Sequence, residues 1–215
     1  MNIKNIQKRN LLHILVIGFF ALFAISCANN GGSGSDSNSS SEYIPTAILL
    51  FSTAAVDGNF GGRSGADTLC ANAQPVAYTC NQIRAFISTD GFNGADEIID
   101  MPTNYSVPTD LPLKGPTDVT VANDWADAID GTWITCLGTS CENLTTPSDV
   151  ITSAFYWTGS YDDTTGNPTY CSGWTSNANA DTGRSGFWTK STSGGHIGGS
   201  SKTCDLTQPL ICLCY

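Results

Sequence analysis

Histidine is nearly missing from this chain: its 215 residues include only His13 and His196. His13 lies in an apolar leader, so one imidazole is left for the rest of the chain, whereas a serine or cysteine hydrolase needs a base beside its nucleophile. His196 sits in Gly194-Gly195-His196-Ile197-Gly198-Gly199 and reads as part of a flexible glycine loop, so no catalytic residue and no enzyme is expected. Cysteine pairs with two-residue gaps are missing as well, and with no histidine partners to add, no zinc site is expected. Basic residues are few: nine Lys/Arg stand against 19 Asp/Glu, a net charge of −10. Lys4, Lys8 and Arg9 belong to the leader, so the remainder carries six basic residues against 19 acids, or −13. DNA, RNA and heparin are repelled overall by such a chain. The acids are scattered, as on a solvated surface. No apolar run is long enough to span a bilayer, since the longest, Leu11 to Ile25, is short and broken by His13 and Gly18. No internal repeat is visible, which excludes a solenoid.

What is present begins with Lys4, Lys8 and Arg9 ahead of that apolar run, the layout of an export signal. The run closes on Ala24-Ile25-Ser26-Cys27, which resembles the relaxed lipobox of spirochaetal lipoproteins, where the cysteine takes a diacylglyceryl group and becomes the mature N-terminus. The resemblance implies lipidation of Cys27 and a membrane held through acyl chains alone, at roughly 0.8 kcal/mol per buried CH2. An ordinary cleaved signal with Cys27 as a chance residue is the alternative. The expected division is a lipoprotein signal peptide over 1–26, a lipidated cysteine with a flexible Ser/Gly/Asn tether over 27–44, and a domain over 45–215.

Eight further cysteines remain: Cys70, Cys80, Cys136, Cys141, Cys171, Cys204, Cys212 and Cys214. An even count in an exported domain implies disulfides, whose connectivity the spacing alone does not choose. Ala47 to Phe51 is a short apolar run suited to a buried strand, and its natural partner is the terminal apolar strand Pro209 to Tyr215. Ser64 with Asp67 reads as a capping box opening a helix that stops near Pro75. Arg84 to Ser88 is a second strand candidate. Asn123 to Ile129 reads as a second short helix with Gly131 as its stop. Beyond Ala154 come short aromatic strands and glycine-rich loops.

Arg84-Ala85-Phe86 after Cys70, Trp125 in a helix, Trp157-Thr158-Gly159-Ser160, Cys171 with Trp174, Cys204, and Cys212 in a terminal apolar strand together resemble endostatin. With the lipobox and tether, the chain is similar to the leptospiral endostatin-like outer-membrane lipoproteins. That implies an α+β, C-type-lectin-like domain: a mixed, mostly antiparallel sheet, two short helices and long disulfide-stapled loops. It implies nested bridges, Cys70 with Cys212 and Cys171 with Cys204, and places Trp125, Trp157 and Trp174 in the core. Cys136 and Cys141 are close enough for a local loop, which leaves Cys80 with Cys214 by elimination.

The departures are equally informative. Endostatin's zinc histidines and its heparin-binding arginine surface have no counterpart here, so neither zinc nor heparin binding is carried over. No cofactor is expected apart from calcium, whose candidate ligands are Asp162, Asp163 and Asn167 beside the Trp157 strand. Trp133 and Trp188, flanked by loop residues, are the candidate partner-binding aromatics. The acid pair Asp96-Glu97 reads as solvated turn residues. The resemblance implies a surface lipoprotein, lipid-anchored to the outer membrane, that binds host extracellular-matrix proteins, plasminogen or the complement regulator factor H. A calcium-dependent carbohydrate-binding module and a structural envelope lipoprotein without a host ligand are the alternatives.

Overall fold

The computed structural model describes residues 43–91, 93–140, 147–188 and 195–215. The lipidation expected at Cys27, the tether up to Glu42, and Cys141 lie outside them. Residues 41–215 belong to one unit. A five-stranded mixed sheet runs through its centre. Its strands are β1 (Ile48–Ser52), β2 (Ile83–Ala85), β3 (Leu113–Lys114), β4 (Thr120–Ala122) and β8 (Ile211–Cys214), in the order β2-β8-β1-β3-β4. Only β1 and β3 are parallel. As expected from the two apolar runs, β1 pairs with β8, with Leu50 opposite Leu213 and Phe51 opposite Cys212.

Alternation along these strands divides the interior. Ile48, Leu50, Phe86, Ile211 and Leu213 face one cluster, with Met101, Val121, Trp125, Trp133 and Ile151. Phe51, Ala85, Ile87, Cys212 and Cys214 face another, with Ala66, Cys70, Trp157 and Trp174. Every residue of β8 is buried because both faces of this strand are covered, which is why it reads as an unbroken apolar run. A second sheet, antiparallel, is formed by β5 (Phe155–Trp157), β6 (Thr182–Phe187) and β7 (Ser200–Thr203).

Short helices lie on this frame. Helix α1 (Gly62–Asn72) starts two residues before Ser64, after Gly61 at φ 88° and with Gly62 at φ 67°. Ser64 is therefore inside the helix and the expected capping box does not form; Asp67 faces strand β2 instead. Helix α2 (Met101–Tyr105) had no counterpart in the sequence reading. Helix α3 (Trp125–Ile129) has Asp124 as its cap, the side chain accepting from the Asp127 N–H at 2.8 Å, and Gly131 follows at φ 94°.

Cys70–Cys212, Cys171–Cys204 and Cys80–Cys214 are bridged, over sequence separations of 142, 33 and 134 residues. The first and third hold alternate residues of β8 from the same face. Cys171 to Trp174 forms a left-handed turn with φ between 52° and 73° at all four positions. For the three non-glycine residues that conformation costs about 1–2 kcal/mol each. It is fixed by the bridge to Cys204 and by the Trp174 indole, whose Nε1 donates to the Ser88 carbonyl at 2.9 Å.

Candidate functional site

Strand β2 is an edge strand, and its outward backbone groups have no ladder partner. In an antiparallel pair these belong to alternate residues. Gln82 exchanges hydrogen bonds with Tyr215, and Phe86 donates to the Ile211 carbonyl, so Ile83, Ala85 and Ile87 point outward. Helix α1 supplies what the sheet does not. The Ala85 N–H donates to Asp67 Oδ1 at 2.9 Å, while Arg63 donates through Nη1 to the Ala85 carbonyl at 2.7 Å and through Nη2 to the Ile87 carbonyl.

Arg63 also makes a two-point ion pair with Asp96, whose carboxylate accepts further from the Thr89 hydroxyl and, at 2.8 Å, from the Tyr105 hydroxyl. Burial pushes the Asp96 carboxyl up, but the hydrogen bonds and charge of Arg63, with the two hydroxyls, outweigh it and hold the group below the usual carboxylate value. For Asp67 burial prevails over the Ala85 N–H and both guanidinium groups, and its carboxyl is raised. Burial and the bond to Asp96 push Tyr105 up to about 12. Asp96 and Glu97, expected as solvated turn residues, are thus an ion-paired carboxylate 15% exposed and a buried Glu97, because the loop folds back under Arg63.

Where this capping ends, a groove opens between α1 and the start of β2, with a volume of about 730 Å³. Ser64, Thr68, Gln82, Ile83, Arg84 and Tyr105 line it, and the half-buried Cys80 of the Cys80–Cys214 bridge forms one wall. Arg84 donates through Nη1 to the Ile83 carbonyl at 3.0 Å, lies 3.7 Å from Asp67 and packs over the Tyr105 ring. Its Nε is buried without a hydrogen-bond partner, and its side chain is 29% exposed. The groove can receive a polar ligand.

The remaining residues singled out from sequence are dispersed. His196, expected in a flexible loop, is fully buried against Trp133 with a ring separation of 4.8 Å, and neither ring nitrogen has a hydrogen-bond partner. Desolvation lowers its pKa to about 4, against the opposing charges of Asp162 and Asp130. The Tyr156 hydroxyl donates to its carbonyl, which draws the glycine loop onto the sheet. Each of the calcium candidates accepts a hydrogen bond. Asp162 Oδ1 accepts from the Gly198 N–H at 2.8 Å, Asp163 Oδ1 from Thr165, and Asn167 Oδ1 from Thr169. No group of three or more His, Cys, Asp or Glu side chains among the described residues is arranged to hold a metal.

Trp133, a candidate contact residue, is 6% exposed, and its Nε1 donates to the Ala128 carbonyl at 2.7 Å. Burial removes it from any surface. Trp188 is half-buried against the same core. Trp125, Trp157 and Trp174 are buried. Cys136 is buried and disulfide-bonded, and the pairing expected for it with Cys141 falls on a residue outside the described ones. No helix among the described residues is long and apolar enough to cross a membrane. Sequence reasoning missed the groove because its members span Arg63 to Tyr105 without a motif; the available signal was two arginines in a chain poor in them. Neither a family model nor a curated protein sequence matches this chain.

Proposed function

We propose that the chain is an exported lipoprotein, anchored at Cys27 in the outer membrane, whose lectin-like domain binds a host protein and catalyses nothing. Extracellular-matrix proteins, plasminogen and factor H are the partners implied by the likeness to endostatin-like lipoproteins. The observation that carries a binding role is the groove of about 730 Å³ beside α1, an open recess lined by Ser64, Gln82 and Arg84, with the Cys80–Cys214 bridge in its wall. A recess so braced loses little freedom when a ligand enters, which favours affinity. Disulfide-dense domains belong to oxidising compartments, in keeping with export. Many anchored copies on one cell add avidity to weak single contacts.

The test is dose-dependent binding of the oxidised protein to laminin, fibronectin, plasminogen and factor H, beside a reduced and alkylated control. Saturable binding to one of them, lost on reduction and retained with chelator, supports the reading. Absence of binding to all four overturns it, and binding abolished by chelator transfers the protein to the calcium-dependent class.

A further inference from the structure

From the surroundings of His196 we infer that residues 195–199 form an acid-triggered catch: protonation of the His196 ring releases this segment from the second sheet while the central sheet stays folded. The inference goes beyond the host-protein reading and does not depend on it.

The ring is held in a place that suits only its neutral form. It is fully buried, its centroid lies 4.8 Å from that of Trp133, and neither Nδ1 nor Nε2 has a hydrogen-bond partner. A protonated imidazole carries two N–H donors and a charge, and burying them unpaired is costly. Two carboxylates act on it from a distance, and both are engaged elsewhere. Asp162 Oδ1, in the loop after β5, accepts from the Gly198 N–H at 2.8 Å, and Asp130 Oδ1, just after α3, accepts from the Thr132 N–H and hydroxyl, each at 2.8 Å. Their charges favour the imidazolium, but desolvation prevails and lowers the ring to about 4. Tyr156 on β5 also touches the segment, and burial pushes its hydroxyl well above the ordinary 10, so it stays neutral in acid.

A short set of hydrogen bonds holds the segment in place. The Phe187 N–H donates to the Gly195 carbonyl at 2.7 Å, the Tyr156 hydroxyl to the His196 carbonyl, the Thr158 hydroxyl to the Ile197 carbonyl at 2.7 Å, and the Gly198 N–H to Asp162. None of the bridges Cys70–Cys212, Cys80–Cys214 and Cys171–Cys204 lies within it, whereas two of them fasten β8 in the central sheet. Local opening therefore breaks few contacts and leaves the stapled strands in place. Once outside, the ring is hydrated and its proton affinity returns to the ordinary 6.5, so acid favours the open form increasingly from pH 6.5 down to about 4. Release uncovers Ile197 and the ring of Trp133, an apolar surface that is closed at neutral pH.

The test is amide hydrogen exchange of the intact oxidised protein, read by NMR at pH 7 and pH 5 and corrected for intrinsic rates. The Phe187 and Gly198 amides lose their acceptors on release, and the amides of β8 are the internal reference. Expected are weaker protection of Phe187 and Gly198 than of β8, and a roughly twentyfold rise in their opening equilibrium from pH 7 to pH 5, the change required by proton affinities of 6.5 in the open form and about 4 in the closed one. In His196→Phe the ring cannot take a proton, and the rise is expected to vanish. Opening of Phe187 and Gly198 only together with β8, an unchanged opening equilibrium at pH 5, or the same rise in His196→Phe each overturns the inference. The wild-type ring gives a reading that needs no variant: its carbon resonances are expected to stay predominantly in the neutral form at pH 5. Titration of the ring near pH 6.5 with unchanged protection of the two amides also overturns the inference.

Discussion

Arg63 and Asp96 meet through two parallel hydrogen bonds, Nε to Oδ2 at 2.9 Å and Nη2 to Oδ1 at 3.0 Å, linking α1 to the loop after β2. Both side chains are about 15% exposed, 14% for Arg63 and 15% for Asp96. Removing one partner of so sheltered a pair leaves the other charged and uncompensated, and the Ala85 and Ile87 carbonyls lose their donor. Arg63→Gln is expected to lower unfolding stability by about 3 kcal/mol in urea titrations. Arg63→Lys is expected to recover only part of this, because a point charge cannot serve Asp96 and both carbonyls together.

His196 sets the acid response. Its folded pKa of about 4 lies below the ordinary 6.5, so the folded state prefers the neutral ring. Stability is full above pH 6.5 and falls as pH drops from there toward 4, by about 3 kcal/mol in total. Asp96 acts lower down: its carboxyl is held below 3.8, so its contribution is present above that value and is lost as pH falls through the folded pKa. Asp67, raised above 3.8, has the opposite sign, favouring the fold in acid and losing that contribution as pH rises through its folded pKa. His196→Phe is expected to flatten the urea midpoint between pH 6.5 and 4 while leaving the steeper loss at lower pH. An unchanged profile in that variant would remove His196 from the explanation.

Gly183 faces the Cys171–Cys204 bridge. A Cβ there would lie 2.8 Å from Cys171 Sγ and 3.1 Å from the rings of both Trp157 and Trp174. Gly183→Ala is expected to cost about 1–3 kcal/mol in thermal or urea unfolding by overpacking. The exposed Ser201→Ala, on the neighbouring strand, serves as the neutral comparison.

The bridges differ in shelter. Cys70, Cys212, Cys171 and Cys204 are fully buried, whereas Cys80 is half-buried at the groove wall. Thiol exchange needs access to sulfur. Among these three, dithiothreitol under native conditions is expected to open Cys80–Cys214 first, read by alkylation and mass mapping of the peptides. Earlier opening of Cys171–Cys204 would contradict the burial order.

Some of this architecture can be read directly from composition. Two apolar runs, Ala47 to Phe51 and Pro209 to Tyr215, become adjacent central strands because continuous apolarity tolerates water on neither face. Helix α3 was visible through its spaced Trp125 and Ile129 and the glycine beyond it. Helix α2 was not, since Met101-Pro102-Thr103-Asn104-Tyr105 is too short to show a period and is held by packing of Met101 in the core. The Ser64–Asp67 pattern pointed to a cap but could not register the pull of an unpaired edge strand on the same carboxylate. The sequence context of His196 suggested mobility, because glycines permit many conformations and do not reveal which one the surrounding aromatics will enclose.

By itself, then, the sequence determined those properties that depend on composition and run length: acidity, a high cysteine content and two apolar strands. Tertiary structure alone decided which side chains are spent and which remain available. Arg63 and Arg84 are both arginines in a chain with few, yet one is exhausted on Asp96 and two carbonyls while the other makes one hydrogen bond, to the Ile83 carbonyl, and an ion pair with Asp67. That difference arises from distance and burial between segments far apart in sequence, and local pattern carries no record of either.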